Sequence, residues 1–161
     1  MFLSCFCRKK NIQQNEENYL DGIEWKDTVP FVIPIKSGRV IKVYDGDTIT
    51  IANKLQIPDS PMYRFSVRLN GIDTPEIKSK HEAEKTLAQD AKHFLSDKIL
   101  GRVVQLHNVK SEKYGRILAT VYYKNQNMNQ LMIDSKHALP YDGGTKHIPD
   151  EWKDSPLKID V

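Results

Sequence analysis

The sequence predicts an α+β fold that is mainly β: a five-stranded Greek-key barrel of the OB type, with one helix inserted between strands 3 and 4 and a second, shorter helix after strand 5. Three observations carry this. Five runs rich in β-branched residues recur between residues 39 and 123. The stretch "HEAEKTLAQDAKHFLSDKIL" switches to helical spacing after the third run. The shorter amphipathic stretch "NMNQLMIDSKHA" follows the fifth.

The first two runs, "RVIKVY" and "TITIA", are joined by Asp45-Gly46, and Asp-Gly is a strong hairpin signal because Gly accepts the positive φ of a tight turn. "NKLQIPDSP" carries two prolines and reads as a long hairpin loop. In "YRFSVRLN", Tyr63, Phe65, Val67 and Leu69 fall on one face, and Arg64, Ser66, Arg68 and Asn70 on the other. Within the long helix, Leu87, Ala91, Leu95 and Ile99 recur every fourth residue, Ala88 and Phe94 widen the stripe, and Gly101 is a natural cap. "RVVQLHNV" and "RILATVYY" follow as strands joined by the turn "SEKYG". The last helix has Asn127 as N-cap, with Met128, Leu131 and Met132 facing inward.

At 161 residues the chain has room for one ordinary domain and some tail. We expect an N-terminal extension over 1–35, the barrel domain over 36–148 and a tail over 149–161. The net charge of +3 permits a nucleic-acid partner without arguing for one. No segment approaches the apolar length of a membrane span. The extension is polar, Pro30 and Pro34 keep its end extended, and Trp25 is expected to pin part of it to the domain.

Cys5 and Cys7 are too close for an ordinary disulfide, so the fold is not expected to depend on one. In "MFLSCFCRKK" the apolar run is shorter than a secretory h-region and precedes the basic cluster, so no secretory signal is expected. Cys5 and Cys7 beside Arg8, Lys9 and Lys10 suit S-acylation and attachment to an anionic membrane surface, or a tail without such a role. The location stays open, with a cytoplasmic site or membrane association through this segment as the two readings.

The chemistry concentrates in "RLNGIDTPE". Gly71 permits a kink at the strand end and Pro75 forces Thr74 extended. Asp73, the hydroxyl or carbonyl of Thr74, and Glu76 then present oxygen donors of the kind hard cations such as Ca²⁺ take. No Cys or His accompanies them, which argues against zinc. If the first hairpin lies beside this exit, Asp47 joins Asp73 and Thr74; taken alone, each acidic segment also reads as a plain turn. Arg68 and Arg116 are ordinary surface or ion-pair arginines singly, but arginines converging on carboxylates suggest phosphate chemistry.

"YDGDT", "VRLNGIDTPE" and "EKYGR", in this order, resemble the signature segments of the staphylococcal nuclease (thermonuclease) family, over roughly Gly38 to Lys146. The resemblance implies that Asp47, Asp73 and Thr74 are Ca²⁺ ligands and that Arg68, Glu76 and Arg116 are catalytic. It makes Asp45 a supporting acid, and Lys113, Tyr114 and Tyr141 substrate-binding residues. It implies a monomer that hydrolyses single-stranded or denatured DNA and RNA with little sequence preference, leaving 3′-phosphate ends. The chain departs from the bacterial type in a longer loop between Thr48 and Arg68, a shorter stretch after Glu76, and no third amphipathic helix after Gly144. The competing readings are an inactive module that binds nucleic acid or protein, and a membrane-tethered scaffold.

Overall fold

The structure is a computed structural model that describes residues 19–112, 115–144 and 149–153. Cys5, Cys7 and Arg8–Lys10 lie outside the described residues, as do Lys113 and Tyr114. The chain divides into two units after Phe31. The first contains a short 3-10 turn, Trp25–Asp27, capped at Glu24. Trp25, expected to pin the extension, opens that turn.

In the second unit the strands are β1 (Ser37–Val43), β2 (Thr48–Lys54), β3 (Met62–Leu69), β4 (Ile72–Asp73), β5 (Val103–Ser111), β6 (Ile117–Tyr123), β7 (Gln126–Asn127) and β8 (Leu139–Pro140). The helices are α1 (Glu82–Ile99), α2 (Met128–Asp134) and α3 (Asp150–Lys153). Antiparallel pairing runs β3-β2-β1-β5-β6, and a parallel pairing of β3 with β6 closes the ring. This is the expected mainly β, OB-type barrel, with α1 between the third and fourth long strands and α2 after the fifth. β7 and β8 are two-residue additions, β8 pairing with β4 beyond the end of β3.

Alternation decides what fills the barrel. Val40, Ile49, Ile51, Val67, Leu69, Val104, Ala119 and Val121 are buried, while their neighbours in sequence, Thr48 apart, are more exposed. Tyr63 departs from the predicted face: near the start of β3 it is exposed, where the barrel no longer covers that face. On α1 the buried positions are Ala83, Glu84, Ala88, Ala91, Leu95 and Ile99, whereas Leu87 is only half-buried. The stripe is therefore rotated from the one the leucines suggest, and it includes a carboxylate. Helix α1 ends at Ile99 and is capped by Leu100, with Gly101 beyond it at φ 72°.

Asn127 caps α2 by accepting from the Gln130 N–H. Buried Asn129 accepts from Val121 N–H and donates to the carbonyls of Asn70 and Ala119, which ties α2 to the exit of β3. Gly71, next in the chain, turns that exit at φ 81°. Beyond the expected end of helical structure there is one more turn, α3, which buries Trp152. A single turn is too short to show a stripe, so periodicity could not reveal it. Among the described residues no helix is long and apolar enough to cross a membrane.

Candidate functional site

The β2–β3 register sets Thr48 opposite Arg68, and Leu69 N–H donates to the Asp47 carbonyl at 2.8 Å. Asp47, one residue before β2, is thereby brought beside Arg68. Arg68 Nη1 donates to Asp47 Oδ1 at 2.6 Å. Its Nη2 donates to Asp73 Oδ1 at 3.3 Å and reaches the Ile72 carbonyl at 3.5 Å. Thr48 Oγ1 donates to the same Asp47 oxygen at 2.8 Å.

The turn before Asp47 is not built as the Asp-Gly signal predicts. Gly46 does not take a positive φ. A Cβ there would instead lie 2.9 Å from both Ala91 Cβ and Thr74 Cγ2. Glycine is required because the turn presses against α1 and Thr74, and this close approach brings the Asp47 turn and buried Thr74 together. Asp45 Oδ1 accepts from Asp47 N–H and closes the turn.

Asp47 is 2% exposed. Burial, and then the negative charge of Asp45, push its carboxyl up to about 7 despite the neighbouring Arg68. A carboxylate that holds a proton this tightly also gains from another cation. Among the described residues no three His, Cys, Asp or Glu side chains converge as ligands. The donor set is therefore two carboxylates, Asp47 and Asp73, with Thr74, and both carboxylates already share Arg68. All three residues offer oxygen, and one carboxylate is buried with unbalanced negative charge. The set fits a hard divalent cation.

Glu76 stands exposed, and its backbone N–H donates to Glu84 Oε1 at 3.0 Å. Glu84 Oε2 accepts from Ser79 Oγ, which in turn accepts from His81 N–H at 3.1 Å. Glu84 is 1% exposed, so a buried carboxylate on α1 organises the segment that carries Glu76. Sequence reasoning missed it. Continuing the buried positions 99, 95, 91 and 88 back by one turn lands on it.

Arg116 is gripped by Glu112 across the β5–β6 hairpin, Nε to Oε2 at 2.5 Å and Nη2 to Oε1 at 2.7 Å. Those bonds hold its guanidinium above its ordinary proton affinity. Glu112 was also missed; an acid four residues before Arg116 across a tight hairpin, with Gly115 at φ 75°, is the available signal. Tyr141 N–H donates to the Gly71 carbonyl at 2.9 Å, and its hydroxyl donates to the Gly144 carbonyl at 2.6 Å.

Asp45, Asp47, Arg68, Thr74, Glu76, Arg116 and Tyr141 line one cavity of about 720 Å³. Asp73 joins them through Arg68. A slightly larger cavity, about 790 Å³ between residues 32–37 and β5, presents neither carboxylate nor arginine. The catalytic and metal-binding set expected from sequence thus falls in one place, while Lys113 and Tyr114 lie outside the described residues.

A closed five-stranded barrel of the OB type thus gathers acids and arginines in one cavity, a set with the chemistry to take phosphate. The family model described as staphylococcal nuclease homologue matches residues 66–150, and the chain belongs to that family. It is 35% identical over 103 residues to an uncharacterized endonuclease of Haemophilus influenzae, covering 64% of this chain and 51% of that protein. It is 31% identical over 94 residues to a thermonuclease of Staphylococcus hyicus, covering 57% of this chain and 52% of that protein. The chain spans about half the length of these curated relatives. The family match begins inside β3, so Asp45 and Asp47 join the site through the geometry of the β1–β2 turn.

Proposed function

We propose that the chain is a Ca²⁺-dependent phosphodiesterase that hydrolyses DNA and RNA with little sequence preference and leaves 3′-phosphate ends. The observation that carries this reading is the convergence of Arg68 on Asp47 and Asp73 in the cavity that also holds Glu76 and Arg116. Asp47, Asp73 and Thr74 would hold the cation, which when bound supplies Lewis-acid polarisation of a phosphoryl oxygen.

The remaining work falls to the chain's own groups. Arg68 and Arg116 take the phosphate oxygens in their guanidinium forks, and their hold strengthens as equatorial negative charge grows. Their carboxylate partners fix both forks in position before a phosphate arrives, which limits the ordering cost. Glu76 carries the one exposed carboxylate in this set. It holds the attacking water and accepts its proton. The 5′ P–O bond then breaks and the leaving oxygen is protonated from solvent. Contacts made to phosphate do not read the bases, in keeping with broad substrate use.

The test is digestion of single-stranded DNA and of RNA across a Ca²⁺ titration. Cleavage should rise with Ca²⁺, stop in excess chelator, and leave ends that a polymerase extends only after phosphatase treatment. Undiminished cleavage in chelator would remove the metal assignment. Absence of cleavage at every Ca²⁺ level, with nucleic acid still bound, would establish the inactive binding module instead.

A further inference from the structure

A second cavity, about 260 Å³, adjoins the catalytic one and shares Tyr44, Asp45 and Glu76 with it. Its other charged groups are Lys42 from β1, Lys78 from the segment after Glu76, and Lys92 from α1. The three come from separate elements, so no single amphipathic face accounts for their convergence. Among the described residues none of them is paired with a carboxylate. The two acids of this cavity are the ones it shares with the catalytic cavity, and Lys92 is half-buried. Lys42 Nζ lies 5.6 Å from the ring centroid of Tyr44, a residue that is 49% exposed.

We infer that this cavity is a second phosphate subsite, one that takes a linkage of the same polynucleotide strand next to the scissile one, with a base laid on Tyr44. The inference rests on the nuclease reading. Ammonium groups serve phosphate as point charges without demanding one geometry. An exposed aromatic ring offers a stacking platform to any unpaired base. Both interactions are indifferent to sequence, and stacking requires an unstacked base, so the subsite favours single strands. Because Asp45 and Glu76 border both cavities, a strand filling the subsite runs directly into the catalytic cavity.

The test compares the full chain with its Lys42→Gln/Lys78→Gln/Lys92→Gln variant on two substrates. One is bis(4-nitrophenyl) phosphate, which has a single linkage; the other is a labelled oligothymidylate of about twelve nucleotides. For the oligonucleotide, KM should rise about tenfold, and the salt dependence of log kcat/KM should flatten by about 0.7 for each phosphate that the variant no longer neutralises. Turnover of the small diester should stay within about twofold of wild type. An unchanged KM and salt slope on the oligonucleotide overturns the subsite, as does an equal decrease on both substrates. Fluorescence anisotropy of the oligonucleotide in excess chelator separates this from the activity itself. If wild type hydrolyses neither substrate but binds the strand more tightly than the variant, the nuclease reading falls and the subsite stands. Equal binding by the two proteins removes the subsite.

Discussion

Arg68 binds Asp47 at 2.6 Å and Asp73 at 3.3 Å, so one guanidinium is shared between two carboxylates delivered by separate turns of the chain. Both pairs are mostly buried, and the Asp47 side chain is 3% exposed. Removing one partner of such a pair leaves an uncompensated charge. Arg68→Ala should therefore destabilise the metal-free protein by about 3 kcal/mol at pH 8. Ca²⁺ should restore part of that stability, and activity should fall by at least about 10²-fold. Denaturant titrations with and without chelator check this. Wild-type stability in chelator would show that the pair carries no such weight.

Glu84 receives the Glu76 N–H at 3.0 Å and a hydrogen bond from Ser79, and so acts as a positioning residue for Glu76. Glu84→Ala frees the segment, and kcat should fall by about 10- to 100-fold with KM changed less than about twofold. Glu84→Gln keeps a carbonyl oxygen for Glu76 N–H and an amide for Ser79 Oγ, so it should recover most of kcat. A merely structural Glu84 would give variants whose kcat follows their melting temperatures. Equal kcat for the alanine and glutamine variants at matched stability would refute the positioning role.

The parts of the molecule legible in its sequence are those set by local periodicity. Period-two alternation marks the barrel strands, and Arg68, Asp73, Thr74 and Glu76 stand out because nine consecutive residues hold them all. Asp47 needs one long-range assumption, that the first hairpin lies beside the β3 exit, and the β2–β3 register supplies it. What stays hidden depends on interactions distant in sequence. Glu84 and Glu112 look like solvated acids until the backbone of Glu76 and the guanidinium of Arg116 are seen against them. Gly46 is necessary, as its Asp-Gly context suggests, but for close approach rather than for a positive φ.

The reason a glycine is needed decides what it tolerates. One needed for positive φ resists any Cβ, whereas one needed for close approach accepts it if the neighbour retreats. Gly46→Ala places a Cβ 2.9 Å from Ala91 Cβ and from Thr74 Cγ2. It should cost about 1–3 kcal/mol through overpacking and weaken Ca²⁺ binding by moving the turn off Thr74. Adding Ala91→Gly removes one of the two clashes, so the double variant should recover part of both effects beyond additivity. Strict additivity in a double-mutant cycle would mean that α1 does not press on the turn.

The pH dependence of stability follows from Asp47, whose carboxyl is raised from 3.8 to about 7 by burial and by Asp45. The folded protein binds this proton more tightly than the unfolded chain does. The resulting stabilisation is complete below the unfolded value and is lost as pH rises through the folded one. In chelator, the melting temperature of wild type should therefore fall relative to Asp47→Asn between about pH 4 and pH 7. Taking the difference between the two proteins cancels the titrating groups that do not interact with Asp47. The asparagine variant should be inactive, since it lacks the anionic oxygen of the proposed Ca²⁺ ligand. With Ca²⁺ present the order should reverse at neutral pH, because the cation compensates the charge that only wild type carries. A difference that stays flat across this range would mean that Arg68 balances Asp47 fully, and that the buried acid has no charge left to offer a metal.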